Sequence, residues 1–203
     1  MPALHNKEQV RSILGEPNPM ASKKIYTHLN PRMQAFIHSS PLVMLSTVDE
    51  FGFPTVSPKG DKAGFVQVVD DKTILLPELR GNKLAYSLTN IVDANNKVGL
   101  LFLRPGTMET LRVHGSCQLL DGDICESVSG STHRALLVLK ISVENAYFHC
   151  GKAFLRSQAW DAQSYLEPMK VSFGQEIAQN TQGDAQFIQE VDTAVKGRYV
   201  TDL

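Results

Sequence analysis

The sequence predicts a mainly β protein with flanking helices, its short strands closing into a barrel. From Pro41 onward the chain breaks into short apolar and β-branched runs separated by turn signals: Asp49-Glu50-Phe51-Gly52, Asp70-Asp71 and Pro105-Gly106. A single helical segment, 82–95, interrupts the series, with Leu84, Leu88, Ile91 and Val92 on one face. Antiparallel strands this short commonly hide their edges by closing on themselves.

Taken in order, 6–15 reads as a short helix, capped by Asn6 and ended by Gly15. Pro17 and Pro19 make a loop. Residues 25–29 and 31–37 give a second helical piece with Pro31 in its first turn and Met33, Phe36 and Ile37 facing the core. Strand 42–48 leads through the first turn to strand 53–57, which Pro58-Lys59-Gly60-Asp61 should break. Strands 65–69 and 73–76 form a second hairpin. After the helix come strands 98–103, 110–120 and 135–143, with a Gly/Ser-rich surface loop at 121–132. Residues 151–160 read as a short basic helix leading to the lone tryptophan. From Ser172 the spacing of Phe173 and Ile177, then Phe187, Val191, Ala194 and Val195, predicts a pair of helices facing the core or a second subunit. The organisation is therefore a helical cover over 1–40, the barrel over 41–160, and helices packed on it over 161–203, as one structural domain.

Composition narrows the function. With 203 residues, 42% hydrophobic and 20% charged, the chain can bury a core of one domain. A net charge of −1 gives no electrostatic case for nucleic acid or a membrane surface. No apolar run approaches the ~20 residues of a span. The first sixteen residues lack a secretory pattern. Cys117, Cys125 and Cys150 are odd in number and lack metal-like spacing, which suggests free thiols in a reducing cytoplasm. Cys117 falls on the core side of an alternating strand, and Cys150 reads as a small buried thiol rather than a nucleophile. His114 and His149 are isolated, so no metal site is expected. No side chain stands out as a general acid or base.

The stretch Leu75 to Leu84 concentrates chemistry. It reads as a strand end, a tight turn at Gly81 and a helix start capped by Asn82, with Arg80 and Lys83 flanking the turn. Free N–H groups and two cations there would suit a phosphate; a helix cap with two solvated basic residues is the plain alternative.

Three segments resemble the pyridoxamine 5′-phosphate oxidase-like superfamily of FMN proteins: Gly52-Phe53-Pro54-Thr55-Val56-Ser57-Pro58-Lys59-Gly60-Asp61; the stretch Leu76 to Leu84 followed by Asn96-Lys97-Val98-Gly99-Leu100-Leu101-Phe102; and Glu109-Thr110-Leu111-Arg112-Val113-His114-Gly115. A late segment, His149 to Trp160, is similar to one in an uncharacterised branch of that superfamily. The resemblance implies a homodimeric split β-barrel with FMN at the subunit interface. It assigns the phosphate and ring surroundings to Lys59, Lys83, Asn82 and a displaced Arg80, with Val56, Ser57, Pro58, Leu76 and Pro77 along the ring and ribityl chain. Thr110 and Arg112 would face the neighbouring subunit's cofactor, and Lys152, Arg156, Ser157 and Trp160 would close it from the partner. It implies oxidoreduction of a small molecule through FMN; a flavin or haem carrier or sensor, or a deazaflavin-dependent reductase, stays open. The substrate-phosphate segment of the oxidase itself, an Arg-x-His pattern, is not recognisable. Each residue has a plainer reading: Lys59, Arg112 and the Lys152/Arg156 face as solvated cations, Trp160 as a packing anchor.

Overall fold

A computed structural model of the chain describes residues 3–128 and 133–202. Its strands are β1 (Leu42–Val48), β2 (Pro54–Gly60), β3 (Gln67–Val68), β4 (Thr73–Glu78), β5 (Lys97–Leu103), β6 (Thr110–Leu120) and β7 (Leu137–His149). Its helices are α1 (Lys7–Leu14), α2 (Pro31–Ser39), α3 (Tyr86–Thr89), α4 (Ile124–Ser127), α5 (Lys152–Ser157), α6 (Phe173–Thr181) and α7 (Ala185–Thr201).

The strands form one antiparallel sheet in the order β2-β1-β5-β6-β7-β4-β3. In a flat sheet, with strands about 4.8 Å apart, β2 and β4 would be separated by roughly 24 Å. Instead Lys59 Nζ on β2 lies 2.5 Å from Glu78 Oε2 on β4. The sheet is therefore rolled, with an open seam between those two strands. Two prolines help to keep it open. Pro58 on β2 and Pro77 on β4 have no N–H to offer a ladder. β3 pairs with β4 only at Gln67↔Leu75 and Val68↔Ile74, so it leaves the Pro77 end uncovered.

Inside the roll, alternate residues of the strands meet: Val43 and Leu45, Leu100 and Phe102, Leu111 and Val113, Ile74 and Leu76, and Ile141 are all buried. Met33 and Ile37 of α2 join this core and Phe36 packs against it, as their spacing predicts.

Several boundaries differ from expectation, each for a tertiary reason. Residues 25–29 are not helical. A 3₁₀ turn, Pro19–Lys24, precedes them, and Tyr26 pairs with Ala146 through N–H···O bonds of 3.0 and 2.8 Å. β2 runs on through Pro58 because an edge strand leaves one side unpaired. The expected strand 65–69 shrinks to Gln67–Val68, with Phe65 buried in the loop before it. β4 continues through Pro77 to Glu78 on the β7 side. β7 extends to His149 instead of stopping at 143. A bulge between His114 and Gly115 shifts the register, so pairing resumes beyond the apolar run. That bulge needs glycine, since a Cβ at Gly115 would lie 2.2 Å from the Ser142 carbonyl oxygen. Part of the 121–132 segment is packed rather than a surface loop: α4 buries Cys125, and Val128 follows it into a small apolar cluster with Leu75, Ala135 and Val138. Residues 129–132 lie outside the described residues.

The closing helices pair with each other. Gly174 of α6 sits so close to α7 that a Cβ there would be 2.4 Å from the Ile188 carbonyl oxygen. Phe173 and Ile177 are exposed, and no residue of α7 is buried, so the pair does not plug the barrel core.

Candidate functional site

β2 carries a polar stripe. Thr55, Ser57 and Lys59 share one face of the strand, and each is half-buried, while Val56, Pro58 and Gly60 face outward. The stripe is pinned at each step. Asn90 Nδ2 donates to Thr47 Oγ1 at 3.0 Å and to Thr55 Oγ1 at 3.2 Å, and the two threonine hydroxyls lie 2.8 Å apart. Ser57 and Ser87 share a hydroxyl–hydroxyl bond of 2.7 Å. Lys59 donates to both oxygens of Glu78 at 2.8 and 2.5 Å. The Asn90 and Ser87 bonds hold the crossing segment against β1 and β2, and the Lys59–Glu78 pair spans the seam.

That segment differs from the expected helix 82–95. Only Tyr86–Thr89 is α-helical, continued by a π turn over Asn90–Ala94. Asn82 is not the cap; its side chain accepts from the Leu84 N–H at 3.0 Å. Lys83 (φ 62°) and Ala85 (φ 55°) are both left-handed, which breaks any helix through them. Leu88 and Ile91 pack inward as expected, but Leu84 and Val92 are exposed. The cations therefore stand on a loop, not on a helix start. Non-glycine residues held at positive φ store strain, a feature that clusters at binding sites.

Between seam and loop lies a cleft of about 1220 Å³. It brings together Ser57, Pro58, Lys59, Pro77, Arg80, Asn82 and Lys83 of the expected site residues. Among the described residues neither Arg80 nor Lys83 has an acidic partner, whereas Lys59 is tied to Glu78. A Cβ on Gly81 would meet nothing within 4 Å, so the backbone there borders open space. Phe65, Leu136 and Leu137 give apolar wall, and Ser87 a hydroxyl. Val56 and Leu76 do not line the cleft. Val56 is exposed, and the Leu76 side chain is in the core.

The remaining site candidates form a second group on β6 and α5. Thr110 is buried, in register with His149. Arg112 is half-buried rather than solvated. Its Nη1 donates to the Tyr147 hydroxyl at 3.1 Å, and its guanidinium lies 5.7 Å from that ring's centroid. Trp160 stacks on Phe154 at 5.4 Å and donates its indole N–H to the Thr107 carbonyl at 3.0 Å. Lys152, Arg156 and Ser157 are exposed on α5, with the Arg156 Nε–H donating to the Lys152 carbonyl. None of the six lines the cleft.

Sequence reasoning missed Glu78, Ser87 and Arg198. The alternation of β2 could have flagged a polar inward stripe in need of partners. Nothing local marks Arg198, the far end of whose helix reaches the cleft. Burial pushes the Cys117 thiol up to about 12, so it stays protonated. Cys150 is exposed, against expectation, because it follows the last residue of β7 at the sheet's end. Among the described residues no cluster of three or more His, Cys, Asp or Glu could hold a metal, and no helix is long and apolar enough to cross a membrane.

Among solved structures, the chain is similar to HupZ of Group A Streptococcus (22% identity over 59% of this chain and 92% of that one, TM-score 0.47). It is similar to a candidate pyridoxamine 5′-phosphate oxidase of Lactobacillus delbrueckii (25%, 60% and 95%, TM-score 0.47) and to an FMN-binding protein of Syntrophomonas wolfei (13%, 70% and 95%, TM-score 0.43). No functionally curated protein matches it. Residues 29–150, more than half of the chain and the whole of the rolled sheet with its seam, match the family described as pyridoxamine 5′-phosphate oxidase, and the chain belongs to that family.

Proposed function

We propose that the protein binds FMN in the seam cleft, as a homodimer in the cytoplasm, and acts as an oxidoreductase on a small molecule. The observation that carries this is the pair Arg80 and Lys83, two cations without acidic partners among the described residues, beside open backbone in a partly apolar cleft. The donor set fits the cofactor. A phosphomonoester of nearly two negative charges needs cations and N–H donors, and a flat tricyclic ring needs apolar wall with a few polar groups. Arg80 and Lys83 would hold the phosphate, while Phe65, Leu136, Ser57 and Pro77 would border the ring and its chain. Of the side chains that ligate haem iron, His, Cys, Met and Tyr, the described lining holds only Tyr86, so its several cations and hydroxyls suit a phosphate better than haem. FMN supplies hydride and electron transfer when bound; the protein positions it and sets the charge around it.

The second group, on β6 and α5, supports the dimer reading. Thr110, Arg112 and Trp160 are held in place by their own hydrogen bonds or burial, yet lie off the cleft of their own chain, where a second copy could use them. Among the described residues Cys117, Cys125 and Cys150 form no disulfide, in keeping with a reducing compartment.

The cleft's volume also admits a deazaflavin with a longer anionic tail, and the mass of the extracted cofactor separates the two. The expected protein is yellow, releases FMN on denaturation and consumes NAD(P)H with an acceptor. Lys83→Ala should weaken FMN retention about ten-fold or more, with the fold intact. A colourless protein that ignores added FMN would sink the reading. One that holds FMN but shows no turnover with any donor would make it a carrier.

A further inference from the structure

We infer that the last turn of α7 is a working part of the cleft: Arg198 supplies a third cation for the ligand's phosphate, and binding fastens α7 onto the barrel. This rests on the FMN reading above. Arg198 and Asp202 line the same cleft as Lys83, although they lie more than a hundred residues further along the chain. Apolar packing does not hold this turn against the cleft, because Tyr199 and Val200 in it are exposed at 60% and 80%. No residue of α7 is buried, so burial of apolar surface gives its end little reason to stay on the barrel.

The Arg198 side chain is nearly unspent. Its Nε–H donates weakly to the Ala194 carbonyl at 3.4 Å, and it forms no ion pair with the described acids. A guanidinium has five donors in a fixed fork that matches a phosphate. The Asp202 carboxylate is engaged by the Thr201 hydroxyl at 3.1 Å. The charges close as well. Lys59 and Glu78 cancel. Arg80, Lys83 and Arg198 against Asp202 leave a surplus of two positive charges among the cleft's lining residues, matching a phosphomonoester of about −2. If the phosphate bridges loop and helix end, linkage requires that FMN hold down α7 by the same free energy that α7 lends to FMN.

The test compares FMN with riboflavin, which lacks the phosphate, by flavin fluorescence and by amide exchange of residues 196–202. Arg198→Ala should weaken FMN about ten-fold or more and leave riboflavin unchanged, with Arg198→Lys recovering part. In the wild-type protein FMN should slow exchange in the last turn of α7, and riboflavin should not. That arm needs no substitution, so it stands even where a variant folds poorly. Wild-type protein that binds FMN but shows no protection there, or an Arg198→Ala variant with unchanged FMN affinity, overturns this inference while leaving the FMN reading in place. If the wild type binds neither flavin, the FMN reading falls first and inorganic pyrophosphate decides: protection of 196–202 supports the anion role of Arg198, and its absence overturns it.

Discussion

Glu78 is the residue on which the cleft's electrostatics turn. Its side chain and that of Lys59 are only 18% and 17% exposed, so each depends on the other for the solvation it has lost. The pair stitches the seam where Pro58 and Pro77 forbid a ladder, yet it also keeps a negative charge inside a site read as anion-binding. The two roles give Glu78→Gln opposite effects. Lys59 loses its charged partner, so stability should fall by about 1–3 kcal/mol in urea denaturation. The cleft gains one unit of positive charge and a lysine free to donate, so FMN affinity should rise while riboflavin affinity does not. An unchanged urea midpoint would mean that the ion pair contributes nothing to closing the roll. Lys59 was legible in the sequence as a site candidate; its partner was not, because a strand expected to end at residue 76 hid the face on which Glu78 stands.

At the scale of elements, local pattern carried as far as the chain's neighbours were local. β6 falls on 110–120 as read, because Leu111, Val113 and Cys117 alternate against β5 and β7 on both sides. β2 was cut short because proline reads as a breaker, and only its edge position makes Pro58 harmless. The crossing segment failed for a different reason. Its apolar spacing is helical from residue 84, but the chain enters through two left-handed residues, Lys83 and Ala85. What holds it is Asn90, 8% exposed, bonded to Thr47 and Thr55. Asn90→Ala should cost about 1–3 kcal/mol and speed amide exchange over residues 86–94 while β6 and β7 stay protected. The α6–α7 pair has its own pin. Asp192 accepts the Gly174 N–H at 2.9 Å, and that bond, followed by the Ser172 hydroxyl, holds its carboxyl below the ordinary range. A depressed folded value stabilises the pair above the unfolded value of about 3.9 and loses that contribution as pH falls through the folded value. The pair should therefore loosen below about pH 4, seen as faster exchange at the start of α6, and Asp192→Asn should remove that dependence.

For the whole molecule, the separation of the two residue groups makes the subunit count decisive. Lys83 lies in the cleft, while Trp160 lies off it, fixed by Phe154 and the Thr107 carbonyl. If a second copy brings its Trp160 to this cleft, light scattering should give a dimer, and the melting temperature should rise with protein concentration. A sharper test exploits two-fold symmetry. In a dimer of Lys83→Ala with itself, both sites lack the lysine; in a dimer of Trp160→Ala, both lack the tryptophan. A mixed dimer collects both defects in one site and leaves the other whole. Random exchange of equal amounts should thus restore wild-type FMN affinity in about a quarter of all sites, half the dimers being mixed and each holding one intact site. Sites built within a single chain would regain nothing on mixing, since each cleft would keep its own defect whatever its partner.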